Sequence, residues 1–219
     1  MISHHEVHEN TKTTKQTLWV LCTFVSFVLS WTSCASKPPE STQDYVSKIA
    51  ADRAAKDAAF AKDNDPIPEN KKKDLLPLAY FPIDPEYDVP ASLKPIADPT
   101  PIDMPTSTGA VRKMRRVGTL EFSLKGQPLK LTAFVEVGAP NLDRLFVPFN
   151  DLTSVTESYP GGRYLDLDRT KTGVYEMDFN RAYTPYCYYN PTYECPIPPP
   201  ENRLKVAIRA GEKLKHPNT

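Results

Sequence analysis

The sequence predicts a mainly β fold: an antiparallel sandwich or partly open barrel with one N-terminal helix packed on it, an α+β arrangement being the alternative. Three observations predict it. Residues 117–137 alternate apolar and polar side chains on both sides of a Lys125-Gly126-Gln127 turn. Beyond residue 80 the apolar runs are short, and many of the 23 prolines in the 219-residue chain fall between them. Only residues 43–63 carry a long stretch with helical spacing.

The helix starts at Ser41-Thr42-Gln43-Asp44, which pairs a capping hydroxyl with an acidic first turn. Tyr45, Ile49 and Phe60 then fall near one face, with Ala50, Ala54 and Ala61 around them. Lys48, Asp52, Lys56 and Asp57 lie largely elsewhere, and Arg53 interrupts the stripe. Pro66 and Pro68 end this helix, and a short second one is expected over Glu69–Leu76, before Pro77.

From Tyr80 the reading turns to β. The segment YFPIDPEYDVPASLKPI is extended, with prolines that suit edges and irregular strands rather than a sheet centre. Leu120, Phe122 and Leu124 alternate with Glu121, Ser123 and Lys125, as in a half-buried strand. Leu129, Leu131, Ala133 and Val135 do the same on the return strand. Further strands are expected at Arg144–Pro148, Gly162–Leu167, Val174–Phe179 and Leu204–Arg209. Arg112, Lys113, Arg115 and Arg116 form one basic knot, read as the solvated end of a strand.

The N-terminus sets the expected compartment. Leu18 to Trp31 is an uncharged apolar run of 14 residues preceded by Lys12 and Lys15. A helix needs about 20 residues to cross a bilayer, so the run reads as an export leader. Thr32-Ser33-Cys34 follows and resembles a bacterial lipobox, although Trp31 stands where leucine is usual; an uncleaved anchor or ordinary cleavage nearby is the alternative. The expected organisation is a leader over 1–33, a linker over 34–40 behind a lipidated Cys34, and one domain over 41–219. That domain comprises the helix and a β-rich body over 80–213. The expected location is extracytoplasmic, on the periplasmic side of an inner or outer membrane, with the lipid on Cys34 as the membrane contact.

Removing 33 of 219 residues leaves 186, enough for one core but not two. Lysine plus arginine and aspartate plus glutamate number 27 each, and the leader removes two of each sign. A balanced surface gives no reason to expect nucleic acid as a partner.

Cysteine usage follows from the leader. Cys22 leaves with it and Cys34 takes lipid, so Cys187 and Cys195 remain, and in an oxidising compartment they are expected to pair. A disulfide closing nine residues stabilises by about 2.6 kcal/mol on the chain-entropy account. Free thiols are one alternative. A metal is the other, but two thiolates supply only half of a tetrahedral zinc site.

Three blocks carry a family resemblance: TSTGAVRKMRRVGTLEFSLKG, LFVPFNDLTSVTESYPGGRYLDLD and DFNRAYTPYCYYNPTYECPIPPPENRLKVAIRAGE. Together they resemble the bacterial family called domain of unknown function 1684, over most of the chain from the helix to Lys213. Val155 stands where glycine is expected, Ser158 where threonine is usual and Thr184 where asparagine is usual. The family brings no established activity, so the resemblance implies a shared fold and a set of motif residues without a mechanism.

Histidine is nearly absent from the exported part. His4, His5 and His8 leave with the leader and His216 sits in the C-terminal tail, so a Ser-His-Asp or Cys-His relay has no base. No P-loop, GxGxxG, GxSxG or HExxH occurs, and no cofactor or metal is expected. Carboxylates remain. Asp151, Glu157, Asp166, Asp168, Glu176 and Asp178 cluster in sequence, and Asp166 and Asp168 share one side of a strand. Two facing carboxylates would permit glycosidase-type chemistry or a calcium site; the plainer reading is a strand with one wet face.

Gly161-Gly162-Arg163-Tyr164 is more pointed. The glycines allow a tight turn, and Arg163 could clamp a carboxylate bidentately, either internally, as on Asp178, or on a ligand. Arg163 with Asp151, Asp178, Asn180 and Asn202 would form a polar network. Tyr183, Tyr186, Tyr188, Tyr189 and Tyr193 give an aromatic patch beside it, suited to a sugar or peptide ligand or to loop packing alone. The candidate ligand residues are therefore Arg163, Tyr164, Asp151, Asp166, Asp178, Asn180, Tyr183 and Asn202. The expected role is a non-catalytic ligand-binding or accessory protein of the cell envelope, taking a glycan, peptide or protein. The alternatives are a carboxylate-dependent hydrolase of envelope carbohydrate and a structural docking protein.

Overall fold

A computed structural model describes residues 41–63, 65–97, 100–139 and 143–215. The expected leader, Cys34 and the 34–40 linker lie outside the described residues, as does His216. Among the described residues no helix is long and apolar enough to cross a membrane.

The hairpin that dominates the sequence dominates the structure. Strand β3 (Val111–Leu124) turns through Lys125 and Gly126 into β4 (Gln127–Glu136). Both turn residues have positive φ, 50° and 79°, as the mirror-image turn matching strand twist requires. Leu120, Phe122, Leu124, Leu131, Ala133 and Val135 all point inward and are buried. They meet β1 (Asp88–Pro95), β5 (Arg144–Phe149), β6 (Arg163–Asp168) and β7 (Val174–Asp178). The antiparallel order is β6-β5-β4-β3-β1-β7, and β2 (Pro101–Pro105) pairs with β3 beside β1. The sheet wraps into a nearly closed barrel around one core, to which Leu145, Val147, Phe149, Leu165, Met177 and Phe179 contribute. Each fully buried side chain of this kind stabilises by about 1.5–3 kcal/mol.

Two strand expectations change. The proline-bearing segment is not an edge, because β1 lies between β3 and β7. Its prolines fit because the pairings are staggered: Asp88–Ser92 face β7 and Ala91–Pro95 face β3. Pro90 and Pro95 are thus each paired on one side only, where a missing N–H costs no ladder bond. Leu204–Arg209 is not a strand. It runs beside residues 150–152 through Leu204 N to Asn150 O (2.8 Å) and Leu152 N to Val206 O (3.0 Å). The Ile208 N–H then donates to Asp151 Oδ2 at 2.6 Å. A side-chain carboxylate occupies the place of the next ladder acceptor, and the pairing stops.

Helix α1 (Thr42–Lys62) begins as its sequence predicts, with Ser41 Oγ accepting the Asp44 N–H at 3.1 Å. Tyr45, Ile49 and Phe60 are buried, but Ala50, Ala54 and Ala61 are exposed. Polar side chains complete the packed face instead. Arg53 donates to the Phe81 and Asn180 carbonyls, Lys56 to Glu212, and Asp57 accepts the Leu78 N–H. Arg53 is therefore a tie rather than a flaw in the stripe. Phe60 also packs with Ile67 and Tyr189, joining α1 to α2 (Glu69–Leu75) and to the tyrosine-rich segment. The basic knot lies within β3, where Arg112 reaches Glu136, Lys113 Asp103 and Arg116 Glu201.

Candidate functional site

Gly162 sets the geometry of the GGRY turn. At φ +88° it approaches the Phe149 carbonyl so closely that a Cβ would lie 2.6 Å from that oxygen. The turn delivers Arg163 inward, where its side chain is wholly buried. Its guanidinium donates to the carbonyls of Ala210, Ile208 (2.7 Å) and Glu212 (3.2 Å), and to Thr153 Oγ1 and Asp151 Oδ1, both at 3.3 Å. Phe81 and Phe149 cover its plane. Burial pushes the guanidinium below its ordinary pKa, and the Asp151 charge opposes that. The carboxylate on Arg163 is thus internal, and it is Asp151 rather than Asp178.

The remaining members of the expected network are divided between two other places. Asp178 Oδ1 accepts from Tyr45 Oη (2.8 Å) and from the Asn180 N–H (2.9 Å), while Arg181 pairs with the other oxygen at 3.2 Å. The Asn180 amide donates to Tyr45 Oη and to the Asp84 carbonyl. This group ties α1 to the barrel. Asn202 stands apart and joins strands. Its amide donates to the Thr132 (2.9 Å) and Pro148 (2.7 Å) carbonyls and accepts the Thr132 N–H (2.7 Å). Between β4 and β5, among the described residues, Phe134 and Phe146 alone are paired in register, so Asn202 supplies bonds the ladder lacks. Arg163, Asp151, Asp178, Asn180 and Asn202 are all buried, held by protein partners in three separate networks.

A concave site does exist, on the outer face of the sheet. A cavity of about 640 Å³ lies over β3 to β6, under the segment Tyr183–Pro196 and beside Lys56 of α1. Strand alternation builds its floor: with Leu145 and Val147 turned inward, Arg144 and Phe146 face outward, and so do Tyr164 and Asp166 of β6. Phe146 is opposite Asp166 in register. Tyr164 packs edge-on to Phe146 (4.7 Å between centroids) and to Tyr183 (5.7 Å), and donates to the Pro196 carbonyl. Tyr183 Oη donates to Asp166 Oδ2 at 2.9 Å; its pKa is pushed up by burial first and by that carboxylate second. Tyr186, at the start of helix α3 (Tyr186–Tyr189), and Tyr193 meet edge-to-face at 5.3 Å on the opposite wall. Of the expected ligand residues, Tyr164, Asp166 and Tyr183 line this cavity and the other five do not.

The cations of the cavity were not legible in any one motif. Lys56 pairs with Glu212 at 2.5 Å and sits over the Tyr183 ring. Arg112 lies 3.6 Å from both Glu136 and Glu194. Among the described residues the exposed Arg144 guanidinium has no ion pair. Projecting the alternation of Arg144-Leu145-Phe146 across the sheet onto Tyr164-Leu165-Asp166 is the signal that finds it.

Cys195 forms part of one wall. The expected Cys187–Cys195 disulfide is not formed in this structure: both are free thiols in contact, and the Cys187 N–H donates to Cys195 Sγ at 3.2 Å. The hydrogen bond from Cys195 pulls Cys187 down to about 6, and the same contact pushes Cys195 up. Among the described residues no three His, Cys, Asp or Glu side chains gather as metal ligands.

No curated protein matches the chain. Its structure is similar to the solution NMR structure of the uncharacterized protein from gene locus rrnAC0354 of Haloarcula marismortui. The identity is 38%, the TM-score 0.63, and the match covers 80% of this chain and 98% of that one. Residues 73–213, which hold the whole sheet but not α1, match the family described as "Protein of unknown function (DUF1684)". The chain belongs to that family.

Proposed function

We propose that this protein is a non-catalytic ligand-binding or accessory protein of the cell envelope, anchored by lipid on Cys34, and that its ligand enters the cavity over β3 to β6. The observation that carries the reading is the cavity itself: about 640 Å³, walled by Phe146, Tyr164, Tyr183, Tyr186 and Tyr193, with the Arg144 guanidinium, which makes no ion pair among the described residues. Small-molecule sites combine these features, an apolar aromatic wall and a few placed polar groups. Binding is better supported than hydrolysis. Of Asp151, Asp166, Asp168 and Asp178, only Asp166 lines the cavity, while Glu136 and Glu194 share Arg112. In an oxidising envelope the adjacent Cys187 and Cys195 thiols would close into a disulfide that fixes the roof.

The test is a thermal-shift screen of glycans and short peptides on the full chain in detergent, with Tyr186→Ala as control. A hit lost in that variant supports the reading; a hit it does not change places the site elsewhere. For the anchor, metabolic labelling with a fatty acid should mark the protein and fail to mark Cys34→Ser. Equal labelling of both would refute the lipid assignment.

A further inference from the structure

We propose that the cavity takes an acidic saccharide, a sugar ring bearing a carboxylate, and that Arg144 receives the acid group. The inference rests on the cavity being the ligand site and names the class of its occupant.

Charge favours a singly charged acid. Three cations line the cavity, and two are committed: Lys56 to Glu212, Arg112 to Glu136 and Glu194. Arg144 remains, on the same strand face as Phe146, and its fork matches a carboxylate bidentately. The surroundings limit how much negative charge can join it. Asp166, Glu136 and Glu194 also line the space, so a doubly charged phosphate meets three carboxylates for one free guanidinium. Asp168 also lies opposite Arg144 in register, so a singly charged carboxylate adds less to this acidic surround than a doubly charged phosphate while still meeting the guanidinium.

Hydrogen bonding and shape favour a sugar ring. Tyr183 Oη donates to one oxygen of Asp166, which leaves the other able to accept a hydroxyl. A fixed acceptor beside a free cation favours a ligand with hydroxyl donors as well as an anion, which a simple fatty acid lacks. The tyrosines offer ring faces to the C–H face of a pyranose and phenolic edges to its hydroxyls. About 640 Å³ suits one or two sugar rings, within the usual size of such sites.

The test titrates galacturonate, galactose and phenol against the full chain in nanodiscs by saturation-transfer NMR. The wild-type protein should bind galacturonate at least about tenfold more tightly than galactose, as a charge-assisted pair implies. Arg144→Ala should remove that preference, and Arg144→Lys should keep part of it. Equal binding of the two sugars, or a preference that survives Arg144→Ala, overturns the assignment. Phenol binding with neither sugar also overturns it while leaving the cavity as a ligand site. Binding of none of the three overturns both.

Discussion

Arg163 and Asp151 meet at 3.3 Å with neither side chain exposed to solvent. The pair is an internal brace. Through Arg163 it holds the carbonyls of Ile208 and Ala210, and through Asp151 the Ile208 N–H, so the C-terminal segment is fastened to the GGRY turn at several points. Removing one partner leaves the other charged and unpaired, which costs about 3–5 kcal/mol. Arg163→Ala should therefore lower the chemical denaturation midpoint sharply, and Asp151→Asn should do so less. A variant with an unchanged midpoint would show that the brace contributes nothing.

Asn202 should be nearly as sensitive. Its amide satisfies three backbone groups where β4 and β5 are poorly paired. Asn202→Ala leaves those groups buried without partners, at a cost of about 3 kcal/mol. Hydrogen exchange at Thr132 should then rise well before exchange at Leu120.

Val155 should respond in the opposite direction. It is an exposed β-branched residue at φ +96°, a region glycine occupies freely. Val155→Gly should stabilise by about 1 kcal/mol through relief of that strain, raising the melting temperature. A lower melting temperature would mean the Val155 side chain contributes more than the backbone loses.

Asp88 should contribute a loss of stability as pH rises from about 4 to about 6, opposite in sign to Glu157, whose carboxyl Arg209 holds below its ordinary pKa. Asp88 faces Asp178 in register, and its pKa is raised to about 6, by burial first and then by Asp178 and Glu176; Arg181 and Lys48 oppose them. In that range the folded state holds a proton that the unfolded chain has released, so deprotonation favours unfolding. Solvent screens this half-exposed group, leaving an effect of about 1 kcal/mol. Asp88→Asn should flatten the slope in a pH series of melts, and an unchanged slope would contradict this assignment.

The barrel was readable because alternation fixes which face of each strand is buried, and the turn residues fix the register. Leu120, Phe122, Leu131 and Ala133 lie where their spacing predicts. Two segments were not readable for local reasons. Pro101–Pro105 is short and bounded by prolines, and pairs only because β3 is long enough to hold it. Leu204–Arg209 alternates like a strand, but Asp151 takes the N–H that a neighbouring strand would need. The candidate site divides in the same way. Arg163 looked functional because a glycine turn presents it, yet the direction in which that turn points is set by the carbonyl of Phe149, opposite Arg163 on the neighbouring strand. Arg144 looked ordinary because its site is assembled from four strands and a roof some forty residues downstream.

Arg163 belongs to a buried brace, whereas Tyr164, Tyr183, Tyr186 and Tyr193 line a separate cavity, the proposed ligand site. The most direct measurement is a ¹³C spectrum of the full chain with ring-labelled tyrosines, recorded with and without phenol as a neutral probe. The signals of Tyr183, Tyr186 and Tyr193 should shift, while those of Tyr45 and Tyr87, which lie outside the cavity, should not. Shifts confined to Tyr45 and Tyr87, or no shift at any tyrosine, would contradict the cavity as the ligand site.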